Sequence, residues 1–350
     1  MGLPCGTFNE SYDKDMAIVR TRLQWGLLIV FLIFLFLAPR FLNDYLLSVV
    51  NGIAIWLIAV LGLNILTGYC GQINMGQAAF MAVGGYTSAI VITRLGFSFW
   101  MALPCSAIVA GIVGMLFGLP ALKVKGFYLA MTTLAAQFVI TWVIIHGGNI
   151  TKATYGIAIP RPSIGGLVFD SEAKYFYLIV PITMLMGLFA RNLIRTRVGR
   201  AFIAIRDNDL AAEVMGVNLL NYKTLAFVIC AAYAGIAGCL WTSYIAIAHY
   251  EHYALMDSVW MLGMLIVGGM GSTMGAVFGT IFIRGLTEAI AYLSPTLSAA
   301  IPGLGGLTAV SVGLVLLGTV IILFLIFEPR GINHRWEIIK HTYRIFPFSY

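Results

Sequence analysis

The chain has 350 residues, of which 60% are apolar and only 10% carry a charge. Soluble domains have about 25% charged residues, so the composition excludes an ordinary soluble globular protein. Long, nearly uncharged runs recur from one end to the other, and they predict an all-α, polytopic helical membrane protein. The net charge of +7 is concentrated between these runs, so it bears on membrane orientation and predicts no nucleic-acid partner.

Ten apolar runs have roughly the length of a membrane span. A helix needs about 20 residues at 1.5 Å per residue to cross roughly 30 Å of hydrocarbon. The eighth run is too short to cross alone. Together with the ninth it flanks the glycine-rich turn 268–272, which fits a broken or re-entrant hairpin. We predict about ten transmembrane spans, with eight to eleven as the range: 23–38, 46–66, 77–93, 99–122, 127–146, 175–194, 222–248, 258–270, 274–292 and 305–327.

The two ends of the chain are more polar than its middle. A charged segment, residues 1–22, precedes the first apolar run, and no signal-peptidase type of cleavage site ends that run. We therefore predict a retained first span. The predicted division is an N-terminal segment 1–22, a transmembrane domain 23–331 and a C-terminal tail 332–350.

Lysine and arginine are distributed unevenly between the two ends of the predicted spans. Ten spans place both termini on one side. Fifteen of the 21 Lys and Arg residues lie on that side and five on the other, with Arg284 inside a span. By the positive-inside rule we expect both termini and the loop 195–221 to be cytoplasmic. The long loop 147–174 then faces outward.

Each half of the chain contains one glycine-interrupted apolar stretch. These are GYCGQINMGQAAF (68–80) and GMGSTMGAVF (269–278). Five spans in each half would give the halves opposite orientations, as inverted repeats require. Inverted repeats are therefore possible, although glycine by itself is common in membrane helices.

A strongly charged stretch, RAFIAIRDNDLAAEVMGVN (200–218), lies between the sixth and seventh spans. Residues 207–209 offer N-cap oxygens and Gly216 offers a C-terminal stop, so we predict one short amphipathic helix. It is either an interfacial helix in the lipid headgroups or a docking helix for a groove on a cytoplasmic partner. Its predicted apolar face consists of Ile203, Leu210, Val214 and Val217.

The sequence has no recognisable catalytic or cofactor motif. It lacks the phosphate-binding loop GxxxxGK[ST], the zinc motif HExxH and the nucleophile motif GxSxG. His249 and His252 share one short loop with no further ligands, which is a poor metal site. We predict that the chain is not an enzyme and binds no metal or cofactor of its own.

Three separated stretches resemble a known family. GLNILTGYCGQINMGQAAFMAVGGYTSAI (62–90), VGRAFIAIRDNDLAAEVMGVN (198–218) and FEPRG (327–331) look like the permease subunits of branched-chain amino acid ABC importers. The resemblance implies that 23–331 is an ABC importer transmembrane permease domain. It also implies that the charged loop is the segment that docks onto the ATPase subunit, through Arg206, Asp209, Ala211, Ala212, Glu213 and Gly216. Leu210 and Val214 join them as the apolar anchor of the predicted docking helix.

The same resemblance implies a set of partners. Such an importer combines a homologous second permease, two ATP-binding subunits and an extracytoplasmic substrate-binding protein. ATP and Mg²⁺ are expected on the ATPase subunits, because this chain has no motif for ATP. The implied location is the plasma membrane of a prokaryote, in contact with membrane lipid.

Polar residues at the third and fifth spans are candidates for the translocation path. Their uncharged amides and hydroxyls suit a neutral or zwitterionic solute. The alternative is that they form hydrogen bonds between helices. The candidates are Gln72, Asn74, Gln77, Thr133, Gln137 and Thr141.

Arg284 and Glu288 are the only opposite charges four residues apart within a predicted span. A charge at mid-span costs roughly 2.5–3.5 kcal/mol on insertion scales, so we expect an intramembrane charge pair or a wet interior around them. A functional site and a structural clamp are both open.

Two alternatives to an amino acid importer remain at this point. The same architecture can carry urea or short amides, since selection lies mostly with the binding protein. An ion-coupled secondary transporter needs no ATPase but needs a buried acidic residue, for which Glu288 is the candidate.

Overall fold

The structure is a computed structural model that describes residues 22–121, 126–152, 155–164 and 167–300, together with 315, 318–324, 326–328 and 330–345. The predicted N-terminal segment, apart from its last residue, lies outside the described residues, as does most of the predicted tenth span. The last five residues of the predicted tail also lie outside them.

The described part of the chain is almost entirely helical, which confirms the predicted fold class. Nine of the ten predicted spans correspond to a helix in the structure. The helices are α1 (Arg22–Phe41), α2 (Asp44–Leu63), α3 (Gln77–Thr93), α4 (Phe99–Ala121), α5 (Phe127–His146), α6 (Glu172–Arg195), α7 (Arg197–Asp207), α8 (Asp209–Val214), α9 (Leu219–Ile245), α10 (Leu255–Gly268), α11 (Thr273–Ala300) and α12 (Ile332–Ile345). A π-helical turn (Asn64–Tyr69) extends α2, and a 3-10 turn (Tyr250–Tyr253) precedes α10.

In the described part of the chain, six helices are long and apolar enough to cross a membrane. They are α2 with its π-helical extension, α4, α5, α6, α9 and α11. The helix α3 is apolar but has 17 residues. The helix α10 has 14 residues, which is about 21 Å at 1.5 Å per residue and too short to cross alone. It instead packs closely against α11, where a Cβ atom on Gly268 would lie 1.9 Å from the carbonyl oxygen of Gly275.

The centre of the bundle is α9, which packs against α2, α3 and α4. Small residues make this packing possible because they let helix backbones approach each other. A Cβ atom on Gly84 of α3 would lie 2.3 Å from the Cα atom of Gly235, and one on Gly238 would lie 1.9 Å from the carbonyl oxygen of Met81. Any larger side chain at these points would separate the helices.

Short strands close the end of the bundle opposite α7 and α8. Strand β1 (Ile157–Ala158) of the long loop pairs antiparallel with β4 (Ile247–Ala248), which follows α9. Strands β2 (Ser163–Ile164) and β3 (Leu167–Val168) form a second antiparallel pair. The loop is therefore tied to the bundle at the end farthest from the charged stretch.

The predicted orientation can be tested at two exposed positions at opposite ends of the bundle. With the native cysteines replaced by alanine, a membrane-impermeant maleimide added to intact cells should label Tyr155→Cys. It should not label Val214→Cys until the membrane is permeabilised, because the positive-inside rule places 195–221 in the cytoplasm. Labelling of Val214→Cys in intact cells would reverse the orientation.

Candidate coupling site

The charged stretch 200–218 forms two helices, so the prediction of a single helix is wrong. The break is at Asn208, whose backbone is extended (φ −159°, ψ 108°). Its side-chain oxygen accepts a hydrogen bond from the amide of Ala211 at 3.1 Å, and this N-cap starts α8 where α7 stops. The predicted stop is present, since Gly216 has φ +88° and follows α8.

The predicted apolar stripe is divided, because Ile203 on α7 and Val217 after α8 are partly buried against the core, whereas Leu210 and Val214 on α8 are exposed. In α7, Phe202 and Ile205 are buried against the bundle. In α8 and just after it, Leu210, Val214 and Met215 are 66%, 86% and 84% exposed. The chain therefore holds α7 in place and presents three apolar side chains beyond it.

An ion pair fixes α8 to the central helix. The ammonium group of Lys223, near the start of α9, lies 3.6 Å from a carboxylate oxygen of Asp209. Lys223 is only 8% exposed at its side chain, so the pair is less screened than one at the surface. Ala212 packs inward beside it. Lys223 is a site residue that the sequence analysis missed.

Arg206, at the end of α7, connects the charged stretch to both glycine-interrupted stretches. Its Nη1 atom donates to the carbonyl oxygen of Gly68 at 3.1 Å. The missing side chains of two glycines make room for it, since a Cβ atom on Gly71 would lie 3.0 Å from its Cγ atom and one on Gly271 would lie 2.9 Å from Nη1. Asp207 binds the other edge of the guanidinium group, with an Nη2–Oδ1 distance of 3.0 Å.

Asn64 joins the two glycine-interrupted stretches directly. Its amide nitrogen donates to the carbonyl oxygen of Ser272 at 3.0 Å, and its oxygen accepts from the amide of Gly271 at 3.0 Å. A Cβ atom on Gly68 would lie 2.1 Å from this amide oxygen. The two stretches, one from each half of the chain, thus meet at one point.

The FEPRG stretch reaches the same point. A Cβ atom on Gly331 would lie 2.5 Å from the Cα atom of Gly269, whose own φ of +110° is a conformation that favours glycine. We call this meeting point the glycine junction. It comprises Asn64, Gly68, Gly71, Arg206, Gly269, Gly271 and Gly331. A cavity of about 360 Å³ lies beside it and leaves space next to Arg206.

Four of the six predicted path residues form one buried hydrogen-bond cluster around the start of α3. The amide of Met75 donates to the hydroxyl of Thr133 at 3.0 Å, and the amide of Ala79 donates to Gln137 at 2.8 Å. Asn74 donates to Gln77 at 3.0 Å, and Gln77 donates to the carbonyl oxygen of Ala59 at 2.9 Å. These contacts satisfy backbone amides that a helix start leaves unpaired, so the cluster stabilises the start of α3.

The side chains of the other two predicted path residues donate to backbone carbonyl oxygens near them in sequence. Gln72 is half-buried and donates to the carbonyl oxygen of Cys70 at 3.3 Å. Thr141 bonds back to Gln137 within α5 at 2.8 Å. For all six residues a role in the path stays a prediction.

Arg284 and Glu288 lie on α11 where it packs against α2. Within the described ranges they form no direct ion pair, and each has a different neighbour on α2. The Cζ atom of Arg284 lies 5.1 Å from the ring centre of Trp56, and Glu288 accepts a hydrogen bond from the hydroxyl of Tyr45 at 3.2 Å.

The histidine loop offers little for a metal ion. His249 and His252 have ring centres 6.0 Å apart, and burial lowers the pKa of His252. In the part of the chain that the structure describes, no three His, Cys, Asp or Glu side chains come together as a metal site.

The close approach at the glycine junction gives a stability prediction. Gly68→Ala should destabilise the protein by about 1–3 kcal/mol, because the added methyl group overlaps the Asn64 amide and forces the two stretches apart. Thermal unfolding of the detergent-solubilised protein measures this. The control is Gly187→Ala, where a Cβ atom would make an ordinary 3.9 Å contact with Leu61. Equal stability of the two variants would contradict the described geometry.

Comparison with known proteins agrees with the resemblance. Residues 45–334 match the family model described as branched-chain amino acid transport system / permease component. The chain is 28% identical over 302 residues to the high-affinity branched-chain amino acid transport system permease protein LivM of Escherichia coli, which covers 79% of this chain and 67% of that protein. It is 24% identical over 315 residues to BraD of Pseudomonas aeruginosa, covering 85% and 98%.

A probable LivH permease of Methanocaldococcus jannaschii is 25% identical over 226 residues, covering 62% of this chain and 70% of that protein. No solved structure gives a significant match. The family match spans all four stretches that meet at the glycine junction, namely the two glycine-interrupted stretches, the charged stretch and FEPRG. The chain belongs to the family of branched-chain amino acid transport system permease components.

Proposed function

We propose that the chain is the transmembrane permease subunit of an ATP-driven importer for branched-chain or related amino acids. It works with a homologous second permease, two ATPase subunits that bind ATP and Mg²⁺, and an extracytoplasmic binding protein. Two neighbouring features support this most. α8 exposes an apolar surface, and α7, which precedes it directly, is hydrogen-bonded to the glycine junction through Arg206.

The docking surface consists of Leu210, Val214 and Met215. Large apolar side chains with this exposure are unfavourable in water, and a cytoplasmic partner with an apolar groove would cover them. The partner in this proposal is an ATPase subunit, because the chain belongs to a permease family and its sequence has no nucleotide-binding motif. Glu213 lies exposed beside the three apolar residues and would meet the rim of such a groove.

Arg206 is the proposed point at which force passes into the membrane domain. It lies at the end of α7, next to the Asn208 break that leads to α8, and it bonds to a backbone carbonyl of the π-helical turn. A displacement of α7 by the ATPase subunit would act on both glycine-interrupted stretches at once, because Asn64 links them. The adjacent cavity gives the guanidinium group space to move.

The same proposal includes the domain boundaries and the location of both termini. Residues 23–331 form the permease domain, 195–221 is its coupling loop, and the tail 332–350 lies with 1–22 in the cytoplasm. The membrane is the plasma membrane of a prokaryote. Family membership supports ATP-driven transport over the ion-coupled alternative, and it supports amino acids over urea or short amides as the solute.

Two substitutions on α8 test the docking proposal. Leu210→Asp and Glu213→Lys should leave the permease in the membrane at a near-normal level, because both side chains are exposed and contribute little to folding. Both should reduce co-purification of the ATPase subunits and abolish amino acid uptake. Pull-down from detergent extracts and transport in cells measure the two effects.

The matched control for these two substitutions is Tyr155→Asp. Tyr155→Asp also places a charge at an exposed position but lies at the opposite end of the bundle, so ATPase binding should be unchanged. A helix that only rests on lipid headgroups would tolerate Glu213→Lys. Normal uptake by Glu213→Lys with the ATPase still bound is therefore the outcome that rejects docking.

A further inference from the structure

A second group of charges lies inside the membrane domain, away from the glycine junction. Arg284 and Glu288 are one turn apart on α11, so their side chains point to the same face. Asp257 lies in the first turn of α10, which packs against both α11 and α2. We call these three residues, together with Tyr45, Gly52 and Trp56 of α2, the charged pocket.

The basic part of the charged pocket has unused hydrogen-bond donors. The guanidinium group of Arg284 packs on the ring of Trp56, with 5.1 Å between Cζ and the ring centre. Gly52 of α2 lies against the guanidinium group, since a Cβ atom there would make an ordinary 3.5 Å contact with Nη2. The Nε atom of Arg284 and the indole Nε1 atom of Trp56 are buried, and neither has a hydrogen-bond partner among the described residues. Trp56 is only 6% exposed.

The acidic part of the charged pocket is separate from the basic part. Glu288 accepts a hydrogen bond from the hydroxyl of Tyr45 at 3.2 Å. Asp257 accepts from the backbone amide of Ala254 at 3.0 Å. Within the part of the chain that the structure describes, neither carboxylate forms an ion pair with Arg284. Positive and negative groups thus lie near each other without neutralising each other by contact.

Such an arrangement is costly for a membrane protein. Buried donors without a partner lose the hydrogen bonds that they make in water. Ionisable groups within a span are rare and by default indicate a functional site. A ligand that carries both a negative and a positive group would satisfy the two parts of the charged pocket together.

We propose that the charged pocket binds the zwitterionic head of an amino acid during its passage. The carboxylate of the amino acid accepts hydrogen bonds from Arg284 and from the indole N–H of Trp56. Its ammonium group lies toward Glu288 and Asp257. This inference rests on the proposed transport function and adds a recognition site within the membrane to it.

The test compares transport with ATP hydrolysis in the complete importer. The complex is reconstituted in liposomes with the binding protein, and leucine uptake, stimulated ATP hydrolysis and subunit co-purification are measured together. Arg284→Gln should lower leucine uptake per ATP hydrolysed by roughly ten- to a hundredfold, the range of a charge-assisted hydrogen bond. Trp56→Phe, which keeps a ring and removes the N–H group, should lower it less. Assembly and stimulated hydrolysis should persist in both variants.

The control is Trp142→Phe, at a Trp exposed on the outside of α5, and its uptake should be normal. Normal uptake by Arg284→Gln would overturn the proposal. Loss of subunit co-purification in Arg284→Gln would overturn it as well, because it would make the residue a structural clamp. Failure of the transport proposal is a distinct result, since the unmodified complex would then show no ATP-dependent uptake.

A second measurement tests the carboxylate specifically. Gly52→Cys places a thiol beside the guanidinium group, in a background in which the native cysteines are alanine. Leucine should slow alkylation of this thiol in the reconstituted complex, and leucinamide, which lacks the carboxylate, should not. Adding Arg284→Gln should remove the protection. Equal protection by leucinamide, or no protection by leucine, would overturn the assignment.

Discussion

The structure depends on how it satisfies backbone groups where helices break inside a membrane domain. Lipid offers no hydrogen bonds, so an interrupted helix is stable only if protein groups replace the lost ones. Asn64 supplies both a donor and an acceptor to the turn between α10 and α11, and Arg206 supplies a donor to Gly68. Arg206, which supplies a hydrogen bond at the π-helical turn, thus also lies at the end of α7 in the proposed coupling loop.

The same requirement explains the buried amides at α3. Asn74, Gln77 and Gln137 sit among apolar helices because the start of α3 is inside the bundle and needs partners. These three side chains are already hydrogen-bonded to protein groups at the start of α3. The charged pocket differs, because some of its buried donors have no partner in the described chain.

Much of the fold could be predicted from the sequence, because hydropathy and glycine patterns reflect constraints that act locally along the chain. The features predicted in this way are the helices, the short length of α10 and the helix stop at Gly216. The break at Asn208 was missed because a periodic pattern takes no account of a side chain that competes with the helix for an amide. Asn64 was missed because its partner Ser272 lies 208 residues away in sequence. Lys223 was missed because its partner Asp209 lies on a separate helix, whose packing against α9 no sequence pattern gives. A lone amide in an apolar run was the available signal for Asn64.

We propose that Arg206 transmits movement from an ATPase subunit to the glycine junction. The most direct measurement is amino acid uptake per ATP hydrolysed by the reconstituted importer carrying Arg206→Gln. The Lys223–Asp209 pair still holds α8 in this variant, so the ATPase subunit should stay bound and hydrolyse ATP while uptake per ATP falls at least about tenfold, as expected for the loss of a charge-assisted hydrogen bond. An unchanged ratio of uptake to hydrolysis would contradict this account of coupling.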